Sequence, residues 1–164
     1  MADIYLKLNT LDKAKDKLKE VVNADTKNGA ARKMLGITMA NEGREGFEEF
    51  LKGCALEQLQ GMPPDLKDYA KSQPLPKVEA LLKTEVASKP EEVQPLLLLG
   101  ELYLTSNRIQ EAKALILPQV QHRQSINEDP QVHFLLAQIL DKTGDHEGAY
   151  MEFKGGAKQL FKSE

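Results

Sequence analysis

The side chains that could do chemistry in this chain are one cysteine, three histidines and a set of carboxylates. Cys54 could act as a nucleophile, but it falls in an apolar stripe, where a buried and unreactive thiol is the more common outcome. His122, His133 and His146 are scattered along the chain and lack the short ligand spacing of a metal site. These residues therefore predict neither a nucleophilic site nor a metal site.

The carboxylates and glycines have simple structural interpretations. The positions of the carboxylates do not exclude a catalytic pair, but nothing in the sequence points to one. No phosphate-binding glycine loop occurs, and Gly100, Gly144 and Gly156 fit helix packing and turns. We therefore predict that the protein is not an enzyme and binds no cofactor and no metal. The carboxylates predicted on exposed faces or at a helix cap are Glu42, Glu45, Glu48, Glu49 and Asp129.

Composition and charge restrict the class of protein and of partner. The 164 residues fit one domain, and 41% hydrophobic with 29% charged residues is ordinary for a soluble globular protein. A net charge of −3 predicts no nucleic-acid partner. No apolar run approaches the roughly 18 residues of a membrane-spanning helix, so we predict no direct membrane insertion. The single cysteine leaves the compartment open, cytoplasmic or periplasmic.

Residues 93–116 carry the clearest periodic pattern, two apolar runs separated by a polar turn at residues 105–107. The three- and four-residue steps within each run are typical of one face of an α-helix. We therefore predict a helical hairpin in which two small residues, Gly100 and Ala112, face each other. The apolar positions are Leu96, Leu99, Gly100, Tyr103 and Leu104 in the first run, and Ile109, Ala112, Leu115 and Ile116 in the second.

The pattern Leu-Gly-x-x-Tyr, then a turn, then Ala with a large apolar residue four positions on, resembles the tetratricopeptide (TPR) repeat, whose period is 34 residues. The spacing of about 30 to 37 residues between repeat starts fits the longer HEAT and armadillo units less well. The resemblance implies a single all-α domain over residues 1–164, an α-solenoid of about four to five antiparallel hairpins in a right-handed superhelix. The approximate repeats are 1–28, 29–58, 59–92, 93–129 and 130–164.

The first three repeats depart from the pattern. Repeat 1–28 opens near the middle of its first helix, so we expect a piece of a larger multi-repeat protein, with self-association through this truncated edge. In repeat 29–58 the second helix has its apolar stripe one residue early, and two glycines, Gly46 and Gly53, weaken that helix. In repeat 59–92 the pair Pro63-Pro64 breaks the first helix, and a disordered linker is the alternative interpretation. The predicted apolar stripes of the second helices are Phe47, Phe50, Leu51, Cys54 and Ala55 in the former, and Val78, Leu81, Leu82 and Val86 in the latter.

The last two repeats give sharper signals at their helix ends. Pro118 is predicted to interrupt or kink its helix. Asp129 is predicted as an N-cap, with Pro130 at the first helical position. We expect the final helix to run through Gly155-Gly156 to Phe161, because Leu160 and Phe161 need an apolar environment. The predicted buried positions are Val132, Leu136, Ala137 and Leu140 in the first helix of the last repeat, and Ala149, Phe153 and Gly156 in the second.

The resemblance implies binding rather than chemistry, because the first helices of TPR arrays line a groove that contacts a peptide or partner protein. Apolar anchors among carboxylates and amides would suit a partner with hydrophobic and basic residues. The alternative is that Leu97, Leu104 and Phe134 only face a neighbouring helix. The basic clamp of chaperone-binding TPR domains is not matched, since Lys33 is the only basic residue on the first-helix faces of the second and fourth repeats. The predicted groove residues are Lys33, Ile37, Gln94, Leu97, Glu101, Leu104, Gln131, Phe134, Gln138 and Asp141.

The predicted function is therefore a protein–protein interaction scaffold. The alternative is a docking or regulatory segment of a larger enzyme, or of a bacterial envelope or exopolysaccharide export assembly. The envelope or export assembly rests on analogy at the level of the fold alone.

Overall fold

The computed structural model describes residues 10–56 and 75–161. Within these two ranges the chain forms nine helices and no strand, so the predicted all-α fold class is confirmed there. The truncated edge predicted at residues 2–8 lies outside the described residues. The helices are α1 (Leu11–Ala24), α2 (Gly29–Thr38), α3 (Arg44–Leu56), α4 (Leu75–Ser88), α5 (Val93–Thr105), α6 (Ile109–His122), α7 (Gln124–Asn127), α8 (Pro130–Lys142) and α9 (His146–Leu160).

The chain divides into two compact units. Unit 1 comprises residues 1–58 and 153–164, and unit 2 comprises residues 59–152. Helices α1 to α3 and the second half of α9 thus belong to unit 1, whereas α4 to α8 and the first half of α9 belong to unit 2. The single domain and the five repeat boundaries stay predictions.

In unit 1, α2 and α3 pack backbone against backbone through glycines. A Cβ atom placed on Gly36 would overlap the carbonyl oxygen of Gly46 and lie 2.5 Å from the backbone nitrogen of Phe50. A Cβ atom on Gly53 would lie 2.6 Å from the backbone nitrogen of Lys33. Only glycine permits such an approach, because any side chain would have to displace backbone atoms. The glycines that lower the helix propensity of α3 are therefore also what lets it pack against α2.

This glycine contact corrects the predicted buried stripe of α3. Cys54 is half-buried and Ala55 is exposed, although both were expected in the core. The close contact with α2 directs the glycine-bearing side of α3 inward and leaves the positions of Cys54 and Ala55 nearer its rim. The buried residues of α3 are Gly46, Phe47, Phe50 and Gly53.

Three phenylalanine rings form an aromatic cluster in unit 1. Phe153, in the second half of α9, is fully buried, and its ring centroid lies 5.2 Å from those of both Phe47 and Phe50. The rings are tilted by 39° and 41°, an arrangement that avoids the unfavourable face-to-face stack. This cluster joins residues that are about a hundred positions apart in the sequence.

In unit 2, α5 and α8 end in the same way. The residues after their C-caps, Asn107 and Gly144, have positive φ angles of 59° and 85°. The backbone N–H of the following residue donates to a carbonyl five positions back, at 2.8 Å for Arg108 and 3.0 Å for Asp145. This is the Schellman motif, which satisfies the last carbonyls of a helix while the chain reverses. Two successive hairpins thus have the same type of turn.

Helix α8 is the central helix of unit 2 and packs against α5, α6 and α7. Gly100 of α5 supports this packing, because the nearest atoms to a Cβ placed there belong to Leu135 of α8, at 2.7 Å, and Ile116 of α6, at 3.1 Å. The predicted partner Ala112 is not the nearest neighbour, because the longer side chains fill the space first. The residues of α8 buried in the core are Val132, His133, Phe134, Leu135, Leu136, Ala137, Ile139 and Leu140.

Several predicted helix ends are confirmed. The Asp129 side chain accepts a hydrogen bond from the backbone N–H of Gln131 at 2.8 Å, and Pro130 is the first residue of α8. Helix α9 continues without a break through Gly155-Gly156 to Leu160. Pro118 lies inside α6 without ending it. The short helix α7 was not predicted.

Helix α4 confirms the second helix predicted for the degenerate repeat. Val78 and Leu82 are buried as expected, but Leu81 is 41% exposed, so the predicted apolar stripe is narrower than the sequence suggests. The proline-rich segment before α4 falls in residues 57–74, outside the described residues.

Candidate functional site

The groove positions predicted in unit 2 lie on two helices that pack against each other, α5 and α8. In each helix the four positions are separated by three, four and three residues, which places their side chains on one helical face. The α5 face consists of Gln94, Leu97, Glu101 and Leu104, and the α8 face consists of Gln131, Phe134, Gln138 and Asp141.

The α5 face is partly open to solvent. Gln94 is exposed, and Leu97, Glu101 and Leu104 are half-buried. The face therefore presents one leucine on each side of a carboxylate. The buried residues of α5 are Pro95, Leu96, Leu98, Leu99, Gly100, Leu102 and Tyr103.

The α8 face is polar at its ends and closed in the middle. Gln131 is exposed, and Gln138 and Asp141 are half-buried. Phe134 is only 4% exposed, so the prediction of an open aromatic anchor is wrong for this structure. Phe134 is a core residue because α8 is enclosed almost all round, as expected of a helix with apolar residues on every side.

Asp141 takes part in the turn between α8 and α9. Its Oδ1 atom lies 2.9 Å from Nδ1 of His146, which is the first residue of α9. The His146 side chain is mostly exposed, so this contact is weak by itself. The carboxylate nevertheless adds negative charge to the end of the α8 face.

The two groove residues predicted in unit 1 have packing roles. Ile37 is buried, which corrects its assignment to an open groove. Lys33 is half-buried, and its backbone and the Cγ atom of its side chain lie against Gly53 of α3 in the glycine contact. The candidate site described here therefore contains residues of unit 2 alone.

A charge cluster holds the C-terminal end of α5 between α4 and α6. Glu79 of α4 accepts hydrogen bonds from Arg108, from the Lys83 ammonium at 2.6 Å and from the Tyr103 hydroxyl at 3.1 Å. Arg108 also pairs with Glu111 and lies over the Tyr103 ring, 4.5 Å from its centroid. The hydrogen bonds from Arg108 and Lys83 lower the pKa of Glu79 from 4.5 to about 2. Glu79 therefore stays ionised, and the cluster positions α5 at neutral pH.

A second polar cluster surrounds His133 on α8, which is 8% exposed. Its Nδ1 atom lies 2.6 Å from Oε2 of Glu152 on α9, and its Nε2 atom lies 2.6 Å from the backbone carbonyl oxygen of Asn127 on α7. The hydrogen bond with Glu152 raises the pKa of His133 above its ordinary value of 6.5. Sequence reasoning missed this cluster because its members are 6 and 19 residues away from the histidine.

Two absences hold within residues 10–56 and 75–161, the part of the chain that the structure describes. No group of three or more His, Cys, Asp or Glu side chains there could hold a metal ion. No helix in these ranges is both long enough and apolar enough to cross a membrane.

Comparison with known proteins gives structural neighbours only. No protein-family model matches the chain, and no curated protein matches it. The solved structures similar to it include MamA 41-end from Desulfovibrio magneticus RS-1, with 18% identity, a TM-score of 0.49, and coverage of 99% of this chain and 93% of that one. MamA MSR-1 C2 has 20% identity and a TM-score of 0.49 over 99% and 94% of the two chains. MamA AMB-1 has 22% identity and a TM-score of 0.46 over 99% and 96%. The superposition is too loose to transfer residue roles to this chain.

Proposed function

We propose that the protein is a protein-binding scaffold of TPR-like hairpins whose α5 face holds a peptide segment of a partner. The observation that carries the proposal is the half-buried strip Leu97, Glu101 and Leu104 on a helix that is otherwise core. The partner segment carries apolar side chains for the two leucines and a basic side chain for the carboxylate between them.

The strip has the composition of an interaction surface. Each leucine leaves part of its apolar side chain in water, and covering such area is favourable by about 25 cal/mol per Å². Glu101 between them selects for a basic residue, because a like charge placed there would be repelled. Gln94 at one end adds an amide that can both donate and accept a hydrogen bond.

The surface is held in place before any partner arrives. The charge cluster of Glu79, Arg108 and Tyr103 secures one end of α5. Gly100 lets the middle of the helix lie against Leu135 and Ile116. A rigid surface loses little conformational entropy on binding, so more of the contact energy appears as affinity.

The proposal is tested by selecting binding peptides from a random display library against the purified protein and measuring their affinity by fluorescence anisotropy. We expect selected peptides to combine apolar and basic residues. Leu97→Ala should weaken their binding about tenfold, and Glu101→Lys should weaken it at least as much, because it reverses the charge.

Leu81→Ala is the matched control, since Leu81 is a 41% exposed leucine on α4 of the same unit but not part of the α5 face. Its affinity for the selected peptides should equal that of the unchanged protein. The proposal fails if Leu81→Ala weakens binding as much as Leu97→Ala, or if the selected peptides are acidic.

A further inference from the structure

A neutral His133 ring cannot form hydrogen bonds at both of its nitrogens unless one of the neighbouring groups supplies a proton. A neutral imidazole has one N–H and one bare nitrogen. Here both ring nitrogens lie 2.6 Å from an acceptor, the Glu152 carboxylate on one side and the Asn127 carbonyl on the other. The carbonyl can only accept, so the nitrogen facing it must carry a proton. One further proton is needed between the other nitrogen and Glu152.

The location of that second proton does not change the count. With the proton on the ring, an imidazolium faces a carboxylate. With the proton on Glu152, a neutral ring accepts from a carboxylic acid. Both arrangements hold one proton more than the deprotonated pair, in which the single ring proton serves only one contact. The other contact, Nδ1 with Oε2 of Glu152 or Nε2 with the carbonyl of Asn127, is then left with two acceptors 2.6 Å apart. Losing the proton therefore turns an attractive contact into a repulsive one.

The other groups around the ring favour the protonated pair. Helix α9 contributes Glu152, the start of α8 contributes the carboxylate of Asp129, and α7 contributes the neutral carbonyl of Asn127. Asp129 is itself held by its N-cap hydrogen bond to the backbone of Gln131. Burial acts in the opposite direction, because it disfavours a charged ring.

We propose that the protonated His133–Glu152 pair is a pH-sensitive latch that holds α7 and the first half of α9 against α8. It requires three elements to meet at one buried side chain, and it closes when the pair binds a proton. The latch is independent of the proposed peptide site, since none of its members lies on the α5 face.

The direction of the pH effect follows from the sign of the shift. The pKa of His133 is raised in the folded protein above its ordinary value of 6.5. The stabilisation by the pair is therefore fully present below about pH 6.5 and is lost as the pH rises through the higher folded value. The unfolding equilibrium constant should rise about tenfold for each unit by which the folded pKa exceeds the unfolded one.

The test combines histidine NMR titration with urea unfolding from about pH 5.5 to about pH 9. We expect one histidine resonance to titrate above the ordinary range and to disappear in His133→Gln. The rise in the unfolding equilibrium constant with pH should be reduced in His133→Gln and in Glu152→Gln. Hydrogen exchange, corrected for its intrinsic pH dependence, should accelerate in residues 146–152 of the unchanged protein as the latch opens.

His146→Gln is the matched control, because His146 also faces a carboxylate but lies at the surface. It should keep the pH dependence of the unchanged protein. The latch is refuted if His133 titrates at or below its ordinary pKa, or if His133→Gln and Glu152→Gln keep the full pH dependence. Should either variant fail to fold, the His133 resonance is assigned by elimination from His122→Gln and His146→Gln, and its titration in the unchanged protein decides the matter.

Discussion

Helices α5 and α8 present the same face at the same step in two successive hairpins, but the exposure of the two faces differs at one position. Leu97 and Phe134 occupy equivalent positions 37 residues apart. Leu97 is half-buried, and Phe134 is only 4% exposed. The spacing of three and four residues determines which face of the helix a side chain lies on, but the neighbouring elements determine whether water reaches it.

We propose that this difference separates a binding surface from a core. Helix α8 is buried on nearly every side, so an aromatic residue on its groove face stabilises the fold. Helix α5 keeps one strip partly open, so its leucines can contribute to a partner. A groove assigned by matching predicted repeat positions alone would give Leu97 and Phe134 the same role. In the structure the exposed fractions of their side chains differ.

The largest effect that tests this comparison is expected from Phe134→Ala. Removing a buried aromatic side chain leaves a cavity, so the free energy of unfolding should fall by roughly 3–5 kcal/mol. Leu97→Ala should lower it by only about 1 kcal/mol, because part of the leucine is already in water. Urea unfolding of the two variants measures both values. Equal losses would show that the two faces are buried alike and would break the comparison.

The next effect concerns the small residue at one predicted repeat position in three helices, Gly36 in α2, Gly100 in α5 and Ala137 in α8. Gly36→Ala should lower the free energy of unfolding by about 3 kcal/mol, because its Cβ would meet the backbone of α3. Gly100→Ala should change it by no more than about 1 kcal/mol. Its Cβ would meet the end of the flexible Leu135 side chain, and alanine favours the helix.

Thermal and urea unfolding of the Gly36→Ala and Gly100→Ala variants sharpens the comparison. Ala137 already shows that α8 accommodates a methyl group at this position. A large loss for Gly100→Ala would mean that Leu135 cannot move and that α5 and α8 are as closely fitted as α2 and α3. A small loss for Gly36→Ala would mean that α2 and α3 separate easily.

The helices and their ends were predictable because their signals are local. Apolar steps of three and four, the Asp129–Pro130 start and the continuation of α9 past Gly155-Gly156 all depend on residues within a few positions of each other. The burial of Phe134, the glycine contact of α2 with α3 and the pairing of His133 with Glu152 depend on which elements meet. Such contacts leave no periodic trace in one sequence, and Gly46 and Gly53 give the wrong impression if judged by helix propensity alone.

The most direct measurement of the central claim is hydrogen exchange of the protein with and without a selected peptide. The proposal predicts that bound peptide slows exchange in α5, residues 93–105, and in the adjoining ends of the α8 face, and leaves α4, residues 75–88, unchanged. The Glu101→Lys variant at the same peptide concentration should show no protection. Protection confined to α4 or to unit 1, or protection of α5 that survives Glu101→Lys, would contradict binding at the α5 face.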